Sequence, residues 1–348
     1  MNNELQNLTV KRFRVIFIIL VSLVILTFIL DVMLGSVTIT PSQIFQALAG
    51  KGDSQLATII LKFRIPRAVT AVIVGAALSV SGLQMQTVFR NPMAGPYVLG
   101  ISSGASLGVA FVILGFQGSV TPEGLKWFGN WALAAASWIG AGLVMVLIMF
   151  ISFRVRDIMT VLILGILLAG AISAFVSIMQ YFSNETMLKA YVIWTLGSLG
   201  NLTSGQIGVL AISVGLGLLL GLGSVKMLNA LLLGESYASS IGLNVTLARI
   251  IIFAGTSVLA GSVTAFCGPI AFIGIAVPHV SRMIFGTSDH RILMPSTVII
   301  GSIIMVVSDL LSQLPGGGRI LPINSVTSLV GIPIVIWVIM QNRKFSDS

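Results

Sequence analysis

The chain has 348 residues, 56% of them hydrophobic and only 8% charged, with a net charge of +9. Its mean hydropathy is +1.06. Soluble domains carry roughly 25% charged residues, so this composition excludes a water-soluble globular fold and points to helices immersed in lipid.

The first apolar run spans residues 15–34 and is interrupted by Asp31. It resembles the core of a secretory signal, but it is longer and no A-x-A site follows, so it reads as a retained first helix. A membrane-crossing helix needs roughly 20 apolar residues. Runs of that kind recur at 66–88, 95–115, 131–152, 158–182, 204–224, 247–266, 269–285, 293–313 and 322–341. The chain therefore reads as an all-α membrane protein of about ten transmembrane helices, a single domain over residues 1–348. Ten crossings put both termini on one side. With the N-terminus inside, twelve of the 19 basic residues fall on inner segments, so the positive-inside rule places both termini in the cytoplasm.

The second run opens on two arginines three apart, Arg64 and Arg67. With Lys62 they crowd an outer helix mouth, with only Asp53 nearby in sequence. Outward cations go against the positive-inside rule; they are either snorkelling anchors or have a task. The run stops at Arg90-Asn91-Pro92 and restarts as a glycine-bearing helix. Gly100, Gly104 and Gly108 recur at four-residue spacing, as do Gly217 and Gly221, which lets helix backbones approach closely in lipid. Gly100-Ile-Ser-Ser-Gly104 also matches G-x-S-x-G, but that nucleophile motif needs a strand–turn–helix setting, and a hydrolase built on Ser102 is rejected.

Between the sixth and seventh runs lies the longest inward segment, read as two short helices over about 228–245. Leu231, Leu232, Leu233, Ala238 and Ile241 give it an apolar side, and Gly234 and Gly242 break it. Such a segment either lies flat on the bilayer or docks in a groove of a cytoplasmic partner. The last four runs add a faint internal similarity: Arg67 to Gly108 and Arg249 to Gly286 share an arginine start, a helix, a Pro/Gly break and a second helix, as in inverted repeats.

Chemistry-bearing residues are sparse. The chain has no H-E-x-x-H and no G-x-x-x-x-G-K-[ST], so it holds no ATP through a P-loop. The lone Cys267 excludes an intramolecular disulfide and a cysteine metal cluster. His279 and His290 have no acidic neighbours arranged as a triad. Asp31 and Asp309 are the carboxylates within spans, while Asp157, Glu235 and Asp289 sit at the cytoplasmic face. Asp309 reads either as a helix–helix hydrogen bond or as an ion-coupling group. Nearly charge-free spans rich in glycine suit transport driven from outside the chain.

Several motifs in one order carry a resemblance: Arg64-Ile-Pro-Arg67, Arg90-Asn-Pro-Met-Ala-Gly-Pro96, Leu99-Gly-Ile-Ser-Ser-Gly-Ala105, Trp194-Thr-Leu-Gly-Ser198, Leu233-Gly-Glu-Ser-Tyr-Ala-Ser-Ser-Ile-Gly242, Gly268-Pro-Ile-Ala-Phe-Ile-Gly274, Val277-Pro-His-Val-Ser-Arg282 and Asp289-His-Arg291. Over nearly its whole length the chain resembles the permease subunit of ABC importers for iron–siderophore, haem and cobalamin complexes. The resemblance implies a multi-pass protein of the bacterial cytoplasmic membrane with no cofactor and no catalytic residue of its own. Its implied partners are two ATP-binding subunits that carry ATP and Mg, a second permease copy or a related permease, an extracytoplasmic substrate-binding protein and membrane lipid; nucleic acid is not among them.

The same resemblance assigns roles. Arg64 and Arg67 match the pair that engages acidic residues of the binding protein, with Arg319 as a further docking charge. Leu233, Gly234, Glu235, Ala238, Ile241 and Gly242 match the coupling helices that enter the ATPase, Glu235 facing one of its cations. Asn91 and Met93 match the inner gate, and Ser183 and Asn184 an outer constriction, with Met179 beside them on the path. The implied cargo is a metal chelate, with ferric siderophore expected because that branch is the largest. Departures are Met93 for the usual Leu, Gly95 for an acidic residue, Ile320 and Asn324 in place of the Glu and Gly of a C-terminal E-L-P-x-G, and Gln313 where a basic residue is common.

Overall fold

A long apolar stretch in lipid must satisfy its own backbone, and the helix is how this chain does so. The computed structural model describes residues 2–35, 37–51, 53–115, 122–155, 157–314 and 320–346, and every regular element among them is helical. In chain order these are α1 (Asn2–Met33), α2 (Pro41–Leu48), α3 (Ser54–Ile59), a π turn (Ile60–Arg64), α4 (Ile65–Val88), α5 (Ile101–Ile113), α6 (Pro122–Arg154), α7 (Ile158–Tyr181), α8 (Glu185–Thr195), α9 (Ser204–Gly223), α10 (Val225–Leu232), α11 (Glu235–Ser240), α12 (Val245–Cys267), α13 (Ile273–Phe285), α14 (His290–Gln313) and α15 (Ile323–Ser346).

Among the described residues seven helices are long and apolar enough to cross a membrane, and three shorter apolar ones, α5, α13 and the Ile323–Trp337 part of α15, take the places of the third, eighth and tenth runs. Two expected starts are corrected. The third helix begins at Ile101 rather than residue 95, and the eighth at Ile273 rather than 269. In each case the Pro/Gly segment ahead of it has left-handed backbone, at Gly100 (φ 77°) and at Gly268 and Phe272 (φ 75° and 67°). Three elements lie outside the expected apolar runs. α2 starts from a Thr40–Gln43 capping box with Pro41 in its first turn, Asp53 caps α3, and Asn184 caps α8.

The core is asymmetric. The apolar window of α4 is 83% buried and those of α12 and α14 are 67% buried, against 22% for α1 and α7. So α4, α12 and α14 form the interior, while α1 and α7 keep apolar flanks such as Ile18, Ile19, Ile163, Ile166 and Leu167 exposed. Lipid gives no hydrophobic drive for helices to associate, so close backbone contact has to do it. At Gly82 a Cβ would collide with the carbonyl of Gly274 on α13, and at Gly75 with that of Gly301 on α14. The spaced glycines of α5 serve the same end: Gly104 lies against Gly140 and Gly108 against Ala136 on α6.

Candidate functional site

Polar chemistry gathers at the two ends of the bundle, and the loop that follows α4 adjoins the second of them. At the first end α4 enters from the π turn. Arg67 donates through Nε to both Asp309 carboxylate oxygens (3.0 and 2.8 Å) and through Nη2 to Asp309 Oδ1 (2.7 Å) and Ser312 Oγ (2.9 Å). Gln313 Nε2 donates to Asp309 Oδ2 at 3.0 Å and to Asp31 Oδ1 at 3.1 Å, tying in α1. Arg64 donates to the carbonyls of Leu34 and Val37. The cationic cluster is therefore largely paired within the chain. Arg64 is buried, Arg67 is spent largely on Asp309, and only Lys62 of the three stands fully exposed. A charge at this depth is costly unless paired, and Asp31 and Asp309 supply the pairing. Asp309 is thus a helix–helix bond, one of the two expected readings. Arg319 lies outside the described residues.

Beside this network opens a cleft of about 850 Å³, lined among others by Arg64, Arg67, Trp194, Phe266, Gln313 and Ile323. Its floor joins two of the sequence motifs. Ser198 N–H donates to the Cys267 carbonyl at 2.9 Å, and a Cβ at Gly268 would meet the Trp194 carbonyl at 2.6 Å. Asn324, one of the departures, accepts from Ala271 N–H at 3.0 Å and donates its own N–H to the Leu196 carbonyl at 3.2 Å. A glycine there could not supply the side-chain bond.

The opposite end carries the elbow formed by α10 and α11, joined at Gly234 with φ 105°. Its apolar side is split. Leu228, Leu231 and Ala238 are buried against the bundle, while Leu233, Tyr237 and Ile241 are exposed. Glu235 is held within the chain: Arg249 donates to its Oε1 from Nε at 3.0 Å and to both carboxylate oxygens from Nη2 at 2.5 Å. Within the chain Glu235 thus has Arg249 as its cation, and its side chain stays 30% exposed. Asp157 caps α7 nearby, its carboxyl held below the usual range mainly by the Thr160 hydroxyl.

The loop at 90–100 turns the chain between α4 and α5. Arg90 adopts φ 46°, and Asn91 Oδ1 accepts from Met93 N–H at 2.9 Å. Braces come from α13: His279 Nε2 donates to the Pro92 carbonyl at 2.8 Å, and Arg282 binds Gln86 Oε1 at 2.7 Å while Gln86 Nε2 reaches the Ile275 carbonyl at 3.1 Å. Met93 itself is exposed. At Gly95 a Cβ would lie 3.1 Å from Ile275 Cγ1. The remaining residues expected on the path are separate from this loop. Met179 packs against the cluster under α5, α7 and α8, Ser183 Oγ donates to the Gln180 carbonyl at 2.9 Å, and Asn184 Oδ1 accepts from Met187 N–H at 2.9 Å.

Sequence reading assigned no bonding partner to Asp31, Gln86, Arg282 or Gln313. The available signal was a polar side chain inside an otherwise apolar helix, which demands a partner.

Comparison places this geometry among known proteins. Residues 23–341 match the profile of the FecCD transport family. The chain is 30% identical to the vitamin B12 import system permease protein BtuC of Citrobacter koseri, over 92% of this chain and 93% of that protein. It is 33% identical to the hemin transport system permease protein HmuU of Yersinia pestis, over 82% of this chain and 84% of that one. A solved inward-facing structure of a metal-chelate type ABC transporter superposes with a TM-score of 0.81 at 26% identity, covering 94% of this chain and 99% of that one.

Proposed function

Because the chain belongs to the FecCD transport family, we propose that it is the permease of an ATP-driven importer that passes a metal chelate, a ferric siderophore, from a docked binding protein into the cytoplasm by alternating access. It sits in the bacterial cytoplasmic membrane with both termini inside. The elbow carries this reading. Exposed Leu233, Tyr237 and Ile241 stand on a backbone anchored by buried Leu228, Leu231 and Ala238, a rigid apolar knob suited to a groove on a separate ATPase. Binding of ATP draws two ATPases together, the knobs move with them, and the loop at Asn91 and Met93 opens or closes the path between two permease copies. Glu235 holds the elbow to α12 through Arg249, so the ATPase pulls on a braced lever.

At the other mouth, docking carboxylates of the binding protein compete with Asp309 for Arg67 and with backbone carbonyls for Arg64. Charge complementarity of this sort sets orientation and on-rate more than affinity. The choice of siderophore rests on the breadth of that branch of the family and on no residue of this chain; relatives are named for vitamin B12 and hemin. The test is copurification of a P-loop ATPase with the tagged chain, followed by uptake of radiolabelled ferric siderophore, haemin and cyanocobalamin in a deletion strain. Uptake by this chain without any ATPase defeats the reading, and uptake of haemin or cyanocobalamin alone moves the cargo to that chelate.

A further inference from the structure

We propose that His290 is a positioning residue that carries movement of the α10–α11 elbow to the 90–100 loop, through Asn229 on one side and Thr87 on the other. The inference rests on the importer reading above. Asn229 lies on α10. Its Nδ2 donates to Asp289 Oδ1 at 2.7 Å, and its Oδ1 accepts from His290 backbone N–H at 2.9 Å and from His290 Nδ1 at 2.8 Å. The carboxylate needs a donor and the backbone N–H an acceptor, so the amide has one workable orientation. Nδ1 of His290 therefore bears a hydrogen.

The other ring nitrogen faces α4. His290 Nε2 lies 2.8 Å from Thr87 Oγ1, and Thr87 Oγ1 is also 2.8 Å from the Leu83 carbonyl. One hydroxyl hydrogen thus has two acceptors in reach. Given to His290, it fastens α4 to α14 and so to the elbow. Given to Leu83, it stays within α4 and leaves the ring unfastened. His290 is 0% and Thr87 2% exposed, so no bulk water substitutes for a lost partner, and an unfilled buried acceptor is costly. Two discrete arrangements of a buried network are what lets a small shift be transmitted rather than absorbed.

Thr87 stands one turn before Arg90, where the loop begins. Arg90 also lies beside the elbow: a Cβ added at Gly234 would be 3.5 Å from Arg90 Nη1. The end of α4 is therefore held to the elbow through His290, with Arg90 alongside.

The test uses the full chain assembled with its P-loop ATPase in nanodiscs. Met93→Cys in a Cys267→Ala background puts a maleimide-reactive thiol on the loop, and its labelling rate is measured with and without ATP. Thr87→Val keeps the side-chain shape and removes the hydroxyl. It is expected to shrink the ATP-dependent change in rate about tenfold, and Thr87→Ser to retain it. Asn229→Leu, at the far side of the ring, is expected to give the same loss. Residues that merely fasten helices would lower thermal stability and leave the ATP response of assembled complexes intact. A full response in either Thr87→Val or Asn229→Leu overturns the inference while the importer reading stands. A parent complex that assembles yet shows no response to ATP overturns both.

Discussion

Asp309 on α14 receives Arg67 on α4 through contacts of 2.7, 2.8 and 3.0 Å, although 242 residues separate them. The Asp309 side chain is wholly buried and that of Arg67 is 13% exposed. Removing one member leaves the other charge nearly unsolvated, which costs about 3–5 kcal/mol in buried pairs. Asp309→Asn is therefore expected to destabilise the purified permease by about 3 kcal/mol, the lower end of that range because Ser312 and some solvent still serve the guanidinium. Joining it to Arg67→Gln is expected to recover part of the loss. Thermal unfolding in detergent reads both. Full additivity of the two single effects contradicts a direct pair. ATP-driven uptake in Asp309→Asn is expected to remain insensitive to a protonophore.

Reversal of Glu235 probes the other pair. Glu235→Lys sets a cation against Arg249 and is expected to uncouple ATP use from uptake. Exchange of both charges, Glu235→Arg with Arg249→Glu, is expected to restore coupling in part, because the brace is internal. If the exchange behaves no better than Glu235→Lys, then Glu235 answers to a group outside the chain.

Close backbone contact is the adhesive between α4 and α13, and it has no slack at Gly82. Gly82→Ala drives its methyl into the Gly274 carbonyl, and overpacking of this kind costs roughly 1–3 kcal/mol. Lower thermal stability and lower yield are expected. Gly142, with open space around its added Cβ, is the control, and Gly142→Ala is expected to be near neutral.

Charge placed on the exposed face of the elbow separates folding from assembly. Leu233→Glu and Ile241→Glu replace exposed side chains, so the permease is expected to keep its stability within about 0.5 kcal/mol. Copurification of the ATPase is expected to fall at least tenfold. Undiminished copurification in the double variant places the ATPase contact elsewhere.

Much of this protein was readable before any coordinates. Apolar runs of membrane length, broken by Arg90-Asn91-Pro92 and by Gly268-Pro269, mark the helices and both hairpin breaks. The paired role of glycines at four-residue spacing was legible on α5, since only a residue without Cβ fits between touching backbones. Two short helices were readable at 228–245 from their glycine breaks. By contrast α2, α3 and α8 were silent, because each is short, at 8, 6 and 11 residues, and lies outside any apolar run of membrane length.

What the sequence determined by itself was where helices lie and that they lie in lipid, because length and apolarity act locally, residue by residue, against a uniform solvent. Which polar groups meet was decided only in three dimensions. Only the fold brings Asp309 to Arg67, Arg249 to Glu235, and Asn229 and Thr87 to the two ring nitrogens of His290. In a medium without water each buried charge or donor must find its complement inside the fold, and that complement can come from any helix packing brings near, however distant along the chain.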